Sequence, residues 1–263
     1  MSIQIEKNQT VADNTVILSL EIGQVTNRRK LNSNTEAVET EIDRTMLHLG
    51  VDLFDAPEQK QCQKFITALK AKINLYTVPS FFRGGMYLVK HEAVEQVDLI
   101  VEKAIEDFKP IVQAFADVVD QRRDESRARL KEAFNIKHYP TREQVMAGYR
   151  IEKHWLTMST PQSLKQISAS FFEREKAKAE ESLKVATEEI TKLLAAEAKH
   201  LTSHLIERLT PDADGKAKIF RNSAVTNISE FLATFNLRNI GGSEELNAQI
   251  GKIKQLIDGI DPE

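Results

Sequence analysis

Residues 161–209 read PQSLKQISASFFEREKAKAEESLKVATEEITKLLAAEAKHLTSHLIERL. This stretch decides the fold. Its apolar residues are Leu164, Ile167 and Phe171, then Leu183, Ala186, Ile190, Leu194, Ala198, Leu201, Leu205 and Leu209. Within each group they recur every three or four positions, which places them on one face of an α-helix. Thr160 offers a capping hydroxyl and Pro161 suits the first helical position, so a helix is expected from 161 to 209. At 1.5 Å per residue it would be about 70 Å long. Between Glu173 and Glu181 it is nearly all charge and alanine, and the stripe fades there.

A helix of that length needs a partner for its apolar stripe. The preceding sequence supplies one. Val94, Val97, Val101, Ala104, Phe108, Val112, Phe115 and Val119 form a second helical stripe, continuing weakly to Leu130 and Phe134. Pro110 lies inside it and is expected to kink or divide the helix, because proline lacks an amide proton and crowds the preceding turn. The expected fold is therefore mainly α and elongated. Two long antiparallel helices form a stalk, with a small α+β part near the N-terminus and a small head at residues 135–160. A second copy of the chain is an equally physical partner for either stripe. The expected divisions are an α+β segment at 1–90, the helical hairpin with its head at 91–210, and a C-terminal helical segment at 211–263.

Outside the hairpin, TVILSLEI at 15–22 has the β-branched composition of a strand, and NRRK at 27–30 reads as a basic turn. A helix is expected over 35–49. Another opens at Asp55, whose carboxylate can cap it, with Pro57 in its first turn and Phe65, Leu69 and Ile73 on one face. FFRGGMYLV at 81–89 reads as a turn plus a strand, and PDADG at 211–215 as a turn. Two helices follow, near 223–236 and 244–258. Gly241-Gly242 separates them and Ser243 caps the second.

The composition agrees with helices that have much surface and little deep core. Of 263 residues 29% are charged, 41% hydrophobic and 6% aromatic, while 10 Gly and 7 Pro are too few for a turn-rich β sandwich. The formal charge of -3, from 36 basic and 39 acidic residues, exerts no global pull toward nucleic acid or anionic membrane. The single cysteine, Cys62, excludes an intrachain disulfide. The N-terminus has no apolar signal core, and no apolar run approaches the ~20 residues of a membrane span, so a cytoplasmic protein is expected.

No catalytic constellation stands out, and no cofactor or small-molecule substrate is expected. His200 and His204 stand four apart, with Glu197 and Glu207 nearby, and could share a zinc ion. Without an HExxH arrangement, two polar residues beside the stripe are the plainer reading. PDADG lacks the further acidic ligands of a calcium loop. Gly84-Gly85 lacks the fixed order of a phosphate cradle. Cys62 has no sequence-local base to activate it.

Residues 135–160 interleave Tyr139, Tyr149 and Trp155 with Arg142, Arg150 and His154. Thr141 and Gln144 make a capping box for a short helix, and 151–158 has strand composition. Basic and aromatic residues together suit protein recognition or stacking on single-stranded nucleic acid. The plainer reading is that the aromatics form their own core. Arg28, Arg29, Arg122 and Arg123 could join Arg142 and Arg150 in contacting phosphates. Acidic neighbours dilute the run at 121–131, which reads as a solvated helix face.

The order RRKL (28–31), VPSFFRGGMYLV (78–89), HYPTREQVMAGYRIEKHWLTM (138–158) and FLATFNLRNIGGSEELNAQIGKIKQLIDG (231–259) resembles an uncharacterised helical family of bacteria, phages and plasmids. Its members are often encoded near MoxR-type AAA+ ATPases and von Willebrand factor A or CobT-like proteins. The resemblance spans about 15–260. It implies no catalytic residues, but it does imply a partner class: a ring ATPase or its adaptor. The function expected is a non-enzymatic assembly or adaptor protein that self-associates. A nucleic-acid-binding protein is the first rival. A membrane-acting helical hairpin is the second, and it lacks the apolar hairpin it would need.

Overall fold

The computed structural model describes residues 13–30, 50–80, 83–157, 160–209 and 223–257. The expected helix at 35–49 and the PDADG turn lie outside them. Among the described residues are seven α-helices and six short strands. The strands are β1 (Thr15–Gly23), β2 (Arg28–Lys30), β3 (Gly50–Asp52), β4 (Val78–Pro79), β5 (Met86–Lys90) and β6 (Arg150–Thr157). The helices are α1 (Pro57–Asn74), α2 (Val94–Leu130), α3 (Arg142–Gly148), α4 (Ser163–Ile167), α5 (Ala169–Leu209), α6 (Ser223–Arg238) and α7 (Glu244–Ile257). The fold is mainly α, with a four-stranded sheet in the order β4-β5-β1-β6 and a separate β2–β3 pair. NRRK, expected as a turn, supplies β2: Arg28 pairs with Asp52 and Lys30 with Gly50, antiparallel.

Contacts gather the chain into two units, where the sequence suggested three consecutive segments. One holds the residues up to Ser19, Lys72–Asp98 and everything from His154. The other holds Leu20–Ala71 and Leu99–Lys153. All four passages between them fall inside regular elements: β1, α1, α2 and β6.

In the first unit, β5 runs antiparallel to β1, with Thr15 opposite Lys90 and Ser19 opposite Met86. Gly85, at φ 82°, makes the tight turn into β5 that Gly84-Gly85 foretold. The stripe of α5 was expected to face α2, but α6, α7 and the sheet cover it. Leu183, Ile190, Leu194 and Ala198 share a core with Ile17, Val78, Leu88, Phe231, Phe235, Ile240, Leu246 and Ile250. The physical reason is that α6 and α7 carry apolar stripes of their own, and these need the same cover.

The α6–α7 turn is also fixed from α5. A Cβ on Gly241 would stand 2.6 Å from Thr187 Cγ2, so only glycine lets the backbone approach there. Arg238 at the end of α6 clamps Glu197 of α5 through both terminal nitrogens and lies over Phe231. As expected, Ser243 caps α7: its Oγ accepts the Leu246 amide at 3.3 Å.

The long helix begins at Ala169, not at Pro161. Ser168 is extended (φ -160°, ψ 121°) and separates α4 from α5. Its Oγ accepts the Phe171 amide at 3.3 Å, so Ser168 takes the capping place the sequence seemed to give Thr160.

The second unit is organised by α2. Its buried face carries Val101, Phe108, Val112, Phe115 and Val119. Phe65 of α1 stacks on Phe108 at 5.1 Å, and Phe54 meets Phe115 edge-on at 5.5 Å. Pro110 does not divide α2. It lies on the exposed side, where water can serve the carbonyl that its ring leaves unpaired. The helix ends at Leu130, and Lys131 turns the chain away with φ 48°.

Asp55 precedes α1, but its carboxylate takes Lys60 and Arg129 rather than an amide of the first turn. The loop before α1 is held by Asn27, which accepts the Phe54 amide and donates to the Phe54 carbonyl.

Candidate functional site

The residues named from 135–160 follow the plainer reading in part. Tyr139 is buried, stacked on Phe134 at 4.9 Å and edge-on to Phe54 at 5.2 Å. Tyr149 is buried edge-on to Phe108 and Phe115. Neither ring is offered to a partner. Both hydroxyls are buried; Ser126 stands near that of Tyr139 and Gln59 near that of Tyr149, but neither reaches good hydrogen-bond geometry among the described residues. Burial raises both phenols above their ordinary range, Tyr149 to about 12.

The short helix α3 has the expected capping box. The Thr141 hydroxyl accepts the Gln144 amide, and the Gln144 side chain accepts the Thr141 amide. Trp155 is half-buried and donates its indole N–H to Asp98 at 2.9 Å, while His154 is exposed.

Four of the six arginines named for phosphate contact are engaged by carboxylates. Arg122 grips Glu58 bidentately, at 2.7 and 3.1 Å, and reaches Glu125. Arg123 pairs with Asp120 at 2.7 Å, Arg142 with Asp117 at 2.9 Å and Arg150 with Glu152 at 3.0 Å. The pairing is felt on the acids: hydrogen bonds from Arg122 and Arg142 hold Glu58 and Asp117 below the usual carboxylate range. Arg28 and Arg29 are exposed on β2 and make no ion pair among the described residues. An arginine tied to a carboxylate must release it before it can neutralise a phosphate.

A recess of about 380 Å³ lies in the second unit, lined by Asn27, Asp52, Asp55, Lys60, Ser126 and Arg129 among others. Its charges are internally matched, because Asp55 binds both Lys60 and Arg129, and those contacts depress its carboxyl. Ser126 is buried; its hydroxyl lies 2.7 Å from the Leu53 carbonyl and 2.8 Å from that of Arg122.

Cys62 is fully buried, and burial pushes its thiol up to about 11. It packs beside the Ile111 carbonyl at 3.9 Å as a small core residue.

His200 and His204 lie side by side on α5, ring centroids 6.5 Å apart. No group of three or more His, Cys, Asp or Glu placed to hold a metal occurs among the described residues. No helix among them is long and apolar enough to cross a membrane.

One feature is invisible to the stripe argument. Leu164, Ile167 and Phe171 were expected in the buried seam. Instead Leu164 is half-buried, Ile167 is 78% exposed and Phe171 37%. From Ala169 to Ser182, the first turns of α5 bury only Phe172. The break at Ser168 puts Leu164 and Ile167 on a separate short helix, while Phe171 shares α5 with Leu183.

No family model matches the chain, and no curated protein or solved structure does either.

Proposed function

We propose that the chain is a non-enzymatic assembly or adaptor protein that binds another protein through its helical surface. The observation that carries this reading is the exposure of Ile167, at the end of α4, and of Phe171, in the first turn of α5 with Arg174 over its ring, beside the bare start of α5. Large apolar side chains left open and followed by a mixed-charge helix fit a contact with another protein's apolar surface. The flanking charges are already paired within the helix, Glu175 with Lys178 at 2.9 Å and Lys176 with Glu180 at 3.9 Å. An apolar contact would therefore supply most of the affinity.

A ring ATPase or its adaptor is the partner class that the family resemblance implies, and any nucleotide chemistry would belong to that partner. Self-association through the same side chains is the simplest assembly. The elongated form expected of two long helices belongs to this proposal.

Light scattering with small-angle scattering tests it. A compact monomer with a radius of gyration of about 18 Å, the value for a globule of this length, would remove the elongated form. For the contact itself, wild type is compared with Ile167→Glu and Phe171→Glu in sedimentation and in capture of partners with identification by mass spectrometry. Specific association that both variants abolish, with circular dichroism unchanged, supports the assignment. Association that survives both variants refutes it. So does a wild-type chain that stays monomeric and captures nothing.

A further inference from the structure

We propose that His200 and His204 form a bidentate site for a borderline divalent transition metal, with Cu2+ bound most tightly, then Ni2+ and Zn2+. The two residues stand one turn apart on α5, well inside a continuous helix. Their ring planes are within 11° of parallel and their centroids 6.5 Å apart. His200 is exposed and His204 half-buried, so a hydrated ion can reach both.

Neither imidazole makes a hydrogen bond or an ion pair among the described residues. The i, i+4 spacing is the one by which helical zinc motifs present two imidazoles to a single ion. Small rotations of two unrestrained side chains would converge their nitrogens.

The rest of the ligand set follows from the neighbours. Glu197 is committed to Arg238. Glu207, three residues beyond His204, has a contact of its own. The protein therefore supplies two nitrogens, and water or a second protein fills the remaining positions. Two neutral nitrogen ligands favour the metals high in the Irving–Williams order and give nothing to Mg2+ or Ca2+, which take oxygen. An open coordination sphere of this kind distinguishes the pair from a closed structural zinc site.

The experiment uses the full chain after treatment with a chelator, titrated calorimetrically with NiCl2, ZnCl2 and MgCl2. It is compared with His200→Gln, His204→Gln and the double variant. The expected result is one Ni2+ or Zn2+ per wild-type chain, at least tenfold weaker binding in each single variant, and no heat with MgCl2. A second readout is the Cu2+ electron paramagnetic resonance spectrum, which should show two nitrogen donors in wild type and fewer in either single variant. Both positions are on the surface, so circular dichroism should show all variants folded. Wild-type affinity no tighter than that of the double variant would overturn the proposal. So would a single variant that binds as well as wild type.

Discussion

Replacing Tyr149 by Phe should stabilise the second unit. The ring lies edge-on to Phe108 and Phe115, with centroids 6.0 and 6.2 Å away, and phenylalanine keeps both contacts. What the change removes is a buried hydroxyl that reaches no partner at good hydrogen-bond geometry among the described residues, Gln59 being the nearby polar side chain. Burying such a group costs about 1–3 kcal/mol. At the low end of that range, the variant gains about 1 kcal/mol. Cys62 supplies the assay. It lies in the same unit and is 0% exposed, so an aromatic disulfide reagent reaches it only when the unit opens. Where reclosing outpaces labelling, the labelling rate follows the open population. A gain of about 1 kcal/mol then slows labelling about fivefold. Unchanged or faster labelling in Tyr149→Phe would refute the reasoning, since it would mean that the hydroxyl has a partner worth keeping.

Burial raises Cys62 from 9.0 to about 11 and Tyr149 from 10.0 to about 12. Both folded values exceed the unfolded ones, so burial opposes ionisation: nothing is lost below about pH 9, and folding stability falls as pH rises through the folded values, by about 2–3 kcal/mol for each group that must ionise. Combining Cys62→Ala with Tyr149→Phe should therefore move the alkaline unfolding midpoint, followed by circular dichroism, to higher pH. Glu58 is depressed by Arg122, so its contribution is present above the ordinary carboxylate value and fades in acid. Glu58→Gln should cost about 1–3 kcal/mol in urea unfolding at pH 7 and much less near pH 3. Gly241→Ala should cost about 1–3 kcal/mol of thermal stability, because its methyl would meet Thr187 at 2.6 Å. Arg122→Ala should leave binding to DNA at low salt unchanged while destabilising the fold, as read by fluorescence anisotropy and urea unfolding respectively.

The helical elements were largely legible because their periodicity is local. The stripe from Val94 to Val119 and that from Leu183 to Leu205 each lie on one helix, and the capping residues Thr141 and Ser243 act where the sequence places them. The partner of each stripe was not legible. Leu194 is apolar whether it meets α2 or Phe235, and only the competing stripes of α6 and α7 decide between them. The start of α5 departs from the Thr160-Pro161 signal because the chain is extended at Ser168, whose hydroxyl caps the helix instead. A capping hydroxyl shows its acceptor role only in three dimensions. NRRK looked like a turn because its charges hide a strand whose pairing depends on Gly50–Asp52, some twenty residues away. At 135–160 composition marked the aromatic and basic residues but not their direction: Tyr139 and Tyr149 point inward, Arg142 finds the distant Asp117, and Arg150 finds Glu152 on its own strand.

The passages through β1, α1, α2 and β6 give the chain an unusual kind of indivisibility. Neither unit is a continuous stretch of sequence, and each of the four junctions is spanned by a strand or a helix rather than a linker. No pair of cuts excises one unit whole, so neither could be transplanted by simple gene fusion. A protease hunting for loose loops would find none at the junctions.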